Sequence, residues 1–130
     1  MSVVVTKIYS HFDWEVHKQA FEAGMGFFEL SKGFPKEERY SLTDQGRRSS
    51  RSVCANLAEA WRKRRYEAAF ISKLTEAEAA ETQSWIAFAV RCQYMERPRG
   101  VELHKAYEGI LRMIVAIKRK PEKWVIYPDT

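Results

Sequence analysis

The 130-residue chain is 45% hydrophobic and 30% charged, a balance typical of folded globular proteins rather than disordered ones. Its apolar runs are shorter than the ~18 residues that a membrane span needs, and its first residues lack the apolar segment of a signal peptide. We therefore expect one cytoplasmic domain over residues 1–130, without membrane association.

The net charge of +5 is concentrated in one segment, residues 43–65. This segment has seven basic and two acidic residues, whereas the rest of the chain is balanced. Such local basicity says more about partners than about fold. The seven basic residues are Arg47, Arg48, Arg51, Arg62, Lys63, Arg64 and Arg65.

The first predicted helix covers about residues 13–32, where Trp14, Phe21, Met25 and Phe28 recur at helical spacing and predict its core face.

The second predicted helix covers about residues 43–65, after a Ser-x-x-Asp capping box that begins at Ser41. Its predicted core stripe is mostly small: Gly46, Ser50, Val53, Leu57 and Ala60. The opposite face has alanines between arginines, which indicates a second packing surface, within the chain or between subunits: Arg48, Arg51, Ala55, Ala58, Arg62 and Arg65.

The third predicted helix, about residues 66–96, places Glu81 in the middle of its apolar stripe, with Glu78 close to the same face. A carboxylate there is costly unless it is paired. Two interpretations are open: a buried acid with a raised pKa, or a structural pair with Arg47, Asn56 or an arginine of a neighbouring subunit.

A turn at 98–100 precedes the fourth predicted helix, about residues 101–120, and an apolar tail at 121–130 follows it. Four amphipathic helices with short connections predict an all-α, antiparallel up-down four-helix bundle.

The two cysteines, Cys54 and Cys92, have no CxxC spacing. We expect them to be small buried apolar residues.

The sequence contains no enzyme motif, and none of the three histidines follows a glutamate at the Glu-x-x-His spacing of di-iron bundles. We therefore predict no catalytic residues, no metal and no cofactor.

The basic cluster at 62–65 has two interpretations. It is either a solvated helix end whose cations complement the helix dipole, or a contact surface for nucleic-acid phosphates.

The segment FPKEERYSLTDQGRRSSRSVCANLAEAWRKRR resembles the signature of the four-helix-bundle proteins encoded in bacterial 23S rRNA intervening sequences. The later KLTEAEAAETQSWIAFAV resembles the third helix of the same family. Gly46, Cys54 and Ala60 depart from the pattern, where an apolar residue, proline and glycine are usual. The family is also similar to the accessory variability protein of diversity-generating retroelements.

The resemblance implies a homo-oligomer, a pentameric ring, and a possible partner such as a reverse transcriptase besides structured RNA or DNA. The matching positions are expected to serve structure and assembly for the most part: Phe34, Pro35, Glu38, Leu42, Gln45, Arg47, Arg48, Ser52, Asn56, Leu57, Ala58 and Glu59.

Two functional hypotheses follow. In the first, the protein is a non-catalytic nucleic-acid-associated oligomer whose seven basic residues at 43–65 contact phosphates. In the second, it is an interaction scaffold whose arginines pair with acidic residues, such as Glu78 and Glu81, across subunits or on a protein partner.

Overall fold

The computed structural model describes residues 8–127, which contain five α-helices and no strand. Four of these helices are long: α1 (Glu15–Ser31), α2 (Leu42–Arg62), α4 (Ala77–Arg91) and α5 (Arg97–Arg119). The remaining helix, α3 (Glu67–Lys73), is short. Three short 3-10 helices lie at His11–Asp13, Lys36–Glu38 and Pro121–Lys123.

The long helices pack as a bundle in which each has two long neighbours. Both α1 and α4 pack against α2 and α5, and α3 lies on α2. Large buried side chains fill the centre, among them Trp14, Phe27, Phe70 and Tyr107. The predicted core stripe of α2 is confirmed, since Val53, Leu57 and Ala60 are buried. The helical spacing of Leu103, Ile110 and Ile117 predicts the core face of α5, and all three are buried. Within residues 8–127, no helix is long and apolar enough to cross a membrane.

The core face of α1 differs from the prediction. Trp14 is buried, but Phe21 and Met25 are 48% and 42% exposed, and Phe28 is only partly buried. The buried face consists instead of Val16, Ala20, Ala23 and Phe27, with Ser31 at the end of the helix. The α1 positions that face α2 and α5 include the small residues Ala20 and Ala23, because these two helices lie close to α1. The larger side chains of Phe21 and Met25 lie on the outer face of α1.

The single helix predicted over 66–96 is wrong, because the chain leaves the helical path between α3 and α4. Leu74 is non-helical, with φ −85° and ψ 64°, and the Thr75 hydroxyl accepts a hydrogen bond of 3.1 Å from the Ala77 backbone N–H. This break rotates the inward face of α4. The residues that it buries are Ala79, Thr82, Ile86 and Ala89. Phe88 and Cys92, which the apolar stripe of the predicted helix includes, are exposed, so the prediction that Cys92 is buried is wrong.

The turn predicted at 98–100 is also wrong, because those residues lie in the first turn of α5. Pro98 is accommodated there because the first N–H groups of a helix have no intrahelical acceptor. The chain reverses earlier, at Gln93, which has a positive φ of 63°. The backbone N–H of Tyr94 donates to the Ala89 carbonyl over 2.9 Å and closes the end of α4.

The apolar tail docks on the bundle, as far as the structure describes it. Val125 is buried, the Trp124 and Trp14 ring centroids are 5.6 Å apart, and the Ile126 N–H donates to the Arg64 carbonyl over 2.8 Å. The tail positions 128–130 lie outside the described residues.

Candidate nucleic-acid interface

The seven basic residues of the 43–65 segment form two groups on α2 and just beyond it. Arg47, Arg48 and Arg51 lie in its N-terminal half, whereas Arg62 and the three residues after it lie at the C-terminal end. A rise of ~1.5 Å per residue separates Arg47 from Arg62 by about 22 Å. The structure therefore does not bring all seven into one site.

The N-terminal group lines a cleft that the sequence analysis did not predict. The cleft has a volume of about 890 Å³ and lies between the end of α1, the connection that follows it and α2. We call it the basic cleft, because six cationic side chains line it against one carboxylate, that of Asp44. The six are Lys32, Lys36, Arg39, Arg47, Arg48 and Arg51.

The Phe28 ring holds three of these cations together. The Arg47 guanidinium carbon, the Lys32 ammonium and the Arg51 guanidinium carbon lie 4.8, 4.9 and 5.9 Å from its centroid. An aromatic face attracts a cation through its quadrupole and has no net charge of its own. The cations are thus gathered without being neutralised by the ring.

Hydrogen bonds fix the orientation of Arg47. Its Nε donates to the Ser31 hydroxyl oxygen over 2.8 Å, and that hydroxyl donates in turn to the Phe28 carbonyl over 2.8 Å. Ser31 is only 2% exposed, so the anchor is rigid. Among residues 8–127, no carboxylate oxygen lies within 4.0 Å of a charged nitrogen of Arg47 or Arg51.

Arg48 and Lys32 are partly compensated by carboxylates. Arg48 donates to the Gln45 side-chain oxygen over 2.7 Å and lies 3.7 Å from a Glu81 oxygen. Lys32 lies 3.2 Å from a Glu29 oxygen. Glu81 is thus partly exposed and paired rather than deeply buried, and its arginine is Arg48, not the Arg47 of the sequence prediction. Exposed pairs of this kind contribute ~0–1 kcal/mol, and salt weakens them.

Glu38 anchors the connection that forms the outer wall of the cleft. Its carboxylate accepts hydrogen bonds from the Ser41 hydroxyl at 2.5 Å, the Leu42 N–H at 3.4 Å and the Tyr94 hydroxyl at 3.1 Å. These bonds hold the pKa of Glu38 below its ordinary value. The predicted capping box is wrong, because the Ser41 hydroxyl bonds to Glu38 and not to the first turn of α2.

The C-terminal group is not uniform. Arg64 stacks on Trp61, with its guanidinium carbon 3.4 Å from a ring centroid, and its Nε donates to the Trp61 carbonyl over 2.8 Å. Partial burial lowers the pKa of Arg64. Arg62, Lys63 and Arg65 are exposed. Arg64 therefore has a structural partner, whereas the other three extend into solvent.

The residues predicted to serve assembly or structure form two pairs, Asn56 and Glu59 one turn apart on α2 and Glu78 and Glu81 one turn apart on α4. Glu59 accepts a hydrogen bond of 2.7 Å from Lys73 of α3, which lowers the pKa of Glu59. The Glu78 carbonyl accepts from the Thr82 hydroxyl over 2.8 Å. Asn56 is partly buried on α2. Among residues 8–127, no three potential metal ligands of the His, Cys, Asp or Glu type form a group.

Sequence reasoning missed Lys36, Arg39 and Tyr40. They lie in a segment where Glu37 and Glu38 cancel the positive charge, so no local excess marks them. The sequence signal that could have pointed to this segment is the aromatic Tyr40 directly after the cationic Arg39.

The fold and the cleft together define a class of protein, an all-helical bundle with cationic side chains concentrated along one cleft. The family model of the 23S rRNA-intervening sequence proteins matches residues 13–116, and the chain belongs to that family. The resemblance seen in the sequence is thereby confirmed.

One solved structure has a similar fold. It is a protein of unknown function of the S23 ribosomal protein family from Bacteroides thetaiotaomicron. The two chains are 26% identical with a TM-score of 0.73, and the alignment covers 82% of this chain and 97% of the other. No curated protein matches the chain significantly.

Proposed function

We propose that this protein is a non-catalytic nucleic-acid-binding protein that contacts phosphate groups through the basic cleft. The observation that carries the proposal is the grouping of Arg47, Arg51 and Lys32 around Phe28, with six cations and one carboxylate in the cleft. The family description, which names an intervening sequence of 23S rRNA, supports RNA as the ligand.

The physical basis is the release of counterions from the phosphate backbone. Each phosphate neutralised by a lysine or arginine releases condensed cations, so the affinity falls as salt rises. Arg62, Lys63 and Arg65, about 22 Å away along α2, extend the contact to a second stretch of backbone. Arg64 contributes least, because its guanidinium is stacked on Trp61.

The test is charge reversal in the basic cleft with a matched control. The variant Arg47→Glu/Arg51→Glu is compared with Lys105→Glu/Arg112→Glu, which makes the same change in net charge at exposed positions of α5. Binding of a structured RNA is measured by fluorescence anisotropy over a salt series. We expect the cleft variant to bind more weakly, with a log–log salt slope reduced by about 0.9 for each duplex phosphate that is no longer neutralised. Equal effects of the two variants, or no binding by the natural protein at low salt, would contradict the proposal.

We also propose that the bundle is antiparallel and self-associates, as the resemblance implies. The Arg47–Ser31 and Trp14–Trp61 contacts join opposite ends of α1 and α2, which supports the antiparallel order. Phe21 and Met25 on α1 and Phe88 on α4 are exposed apolar side chains on helices that do not neighbour each other. With two different apolar faces, one face of a protomer can contact the other face of the next protomer. Such head-to-tail contacts form a closed ring when the rotation from one protomer to the next divides a full turn.

Light scattering tests the assembly. We expect a mass of several protomers, five if the resemblance holds, and we expect Phe21→Glu/Met25→Glu to give a monomer. Tyr66→Glu is the control, because this exposed tyrosine lies outside both apolar faces. A natural protein that is monomeric at all concentrations would refute self-association.

The second candidate function is a scaffold whose arginines bind acidic residues of a neighbouring subunit or of a protein partner such as a reverse transcriptase. The Arg48–Glu81 pair favours it, because an α2 arginine already contacts a carboxylate. If this candidate is right, Arg47→Glu/Arg51→Glu dissolves the oligomer or abolishes capture of the partner. The RNA affinity of the natural protein is then negligible at low salt.

A further inference from the structure

We infer that the basic cleft accommodates an unpaired nucleotide of a single strand, with its base stacked on Tyr40 and its flanking phosphates bound by the cleft cations. This inference rests on the proposed function and specifies its ligand.

Tyr40 is the first observation. It is 85% exposed, the highest exposure among the large hydrophobic side chains described, and it lines the cleft beside Lys36 and Arg39. Its ring stacks on no other described aromatic side chain. An open aromatic face among cations has the chemistry of a base-stacking platform in single-strand binding proteins.

The backbone on either side of Tyr40 is held by hydrogen bonds. The Arg39 N–H donates to the Lys36 carbonyl over 3.1 Å, and the Ser41 N–H donates to the Glu38 carbonyl over 3.1 Å. Glu38 ties the same turn to Tyr94, near the start of α5. A backbone fixed in this way loses little further conformational entropy when a base binds to the exposed ring.

The size of the cleft favours single strands over duplexes. A volume of about 890 Å³ is within the range of ~300–1,000 Å³ that encloses a small-molecule ligand. One nucleotide and its phosphates match that scale, whereas a duplex keeps its bases stacked inside and offers none to Tyr40. Arg47 and Arg51, held at Phe28, face the cleft as phosphate partners.

The experiment compares a single-stranded RNA that forms no internal base pairs with the blunt-ended duplex that it forms with its complement. A labelled strand of about a dozen nucleotides, within the ~4–16 nucleotide range of single-strand sites, is bound to the full chain in anisotropy titrations at several salt concentrations. The variants are Tyr40→Ala, Tyr40→Phe and Tyr66→Ala. The last removes a tyrosine that is 68% exposed beyond the other end of α2.

We expect Tyr40→Ala to weaken single-strand binding about 5- to 150-fold, which corresponds to one base that no longer stacks. The salt slope should stay unchanged, because it counts phosphates and not bases. Tyr40→Phe, which keeps the ring, and Tyr66→Ala should bind like the natural protein. Binding of the blunt-ended duplex should not respond to Tyr40→Ala.

Three results would overturn the inference. Tyr40→Ala has no effect, or it weakens single-strand and duplex binding equally, or polyglutamate displaces the strand as efficiently as unlabelled RNA does. In the first two cases, continued weakening by Arg47→Glu/Arg51→Glu would leave the proposed function standing. If the natural protein binds neither RNA at low salt, both proposals fail.

Discussion

The Phe27 ring of α1 lies so close to the backbone of Gly46 in α2 that a Cβ at position 46 would overlap its ring carbons. Both residues are buried, and Phe27 is fully inaccessible. An apolar residue is usual at position 46 in the sequence pattern that this chain resembles. In this chain the phenyl ring occupies the space that such a side chain would need.

Gly46→Ala is therefore expected to destabilise the protein. Alanine favours a helix by ~1 kcal/mol over glycine, but the overlap with Phe27 forces repacking that costs typically 1–3 kcal/mol. The control is Gly109→Ala in α5, where the nearest atom would be the Gln19 side-chain oxygen at 3.8 Å, an ordinary contact. Urea unfolding should show a loss of stability for the first and a gain of up to ~1 kcal/mol for the second. Equal stabilities would refute the packing argument.

Gln93 is the one described non-glycine residue with a positive φ, 63°. Such a conformation costs a non-glycine residue ~1–2 kcal/mol, part of which is offset by the entropy that glycine loses on folding. Gln93→Gly is expected to raise the free energy of unfolding by about 0.5–1 kcal/mol. The matched control, Ala87→Gly on the exposed face of α4, should lower it by ~1 kcal/mol. If Gln93→Gly lowers the free energy of unfolding instead, the Gln93 side chain stabilises the protein by more than its positive φ costs.

A buried hydrogen bond joins α2 to α4. The Ser49 and Thr82 hydroxyl oxygens lie 2.7 Å apart, both residues are fully buried, and the Thr82 hydroxyl also donates to the Glu78 carbonyl. The Ser49 hydroxyl likewise lies 3.3 Å from the Gly46 carbonyl, so either hydroxyl can donate to the other. We expect Ser49→Ala and Thr82→Val each to cost about 0.5–1.5 kcal/mol, and the double variant to cost less than the two together. Strict additivity in thermal or urea unfolding would mean that the two hydroxyls do not interact.

His17 makes stability depend on pH. It is 4% exposed, its Nδ1 has no partner among residues 8–127, and the His11 ring centroid lies 4.8 Å away. Burial, with a smaller contribution from His11, lowers the pKa of His17 below its value of 6.5 in the unfolded chain. The unfolded state therefore binds the proton first. The contribution to stability is complete above pH 6.5 and is lost as the pH falls toward the folded pKa.

His17→Phe is expected to remove this dependence. The free energy of unfolding, measured from about pH 7 down to about pH 5, should fall less steeply for the variant than for the natural protein. A parallel decline in both proteins would assign the pH dependence to other groups.

The helices and their type could be predicted from periodicity, but the inward faces of two of them could not. In α2 and α5 the apolar residues form one stripe, so Leu57 and Ile110 are buried as expected. In α1 and α4 apolar side chains occupy more than one face. Hydrophobicity alone selects Phe21 and Phe88, whereas close helix packing selects Ala20 and Ala89. The apolar spacing continues through Leu74 and hides the break there. The available signal was Thr75, followed three residues later by Glu78 in the pattern of a helix start.

The order of residues is enough to specify the helical class, the family and the concentration of positive charge in residues 43–65. Which of those charges act together depends on the packing of the helices. The length of α2 separates Arg47 from Arg62, and the packing brings Lys36 to the same cleft as Arg47. The bond between Glu38 and Tyr94, 56 positions apart, holds that arrangement. The reason is that electrostatic interactions depend on separation in space, which a local count of charges along the chain does not contain.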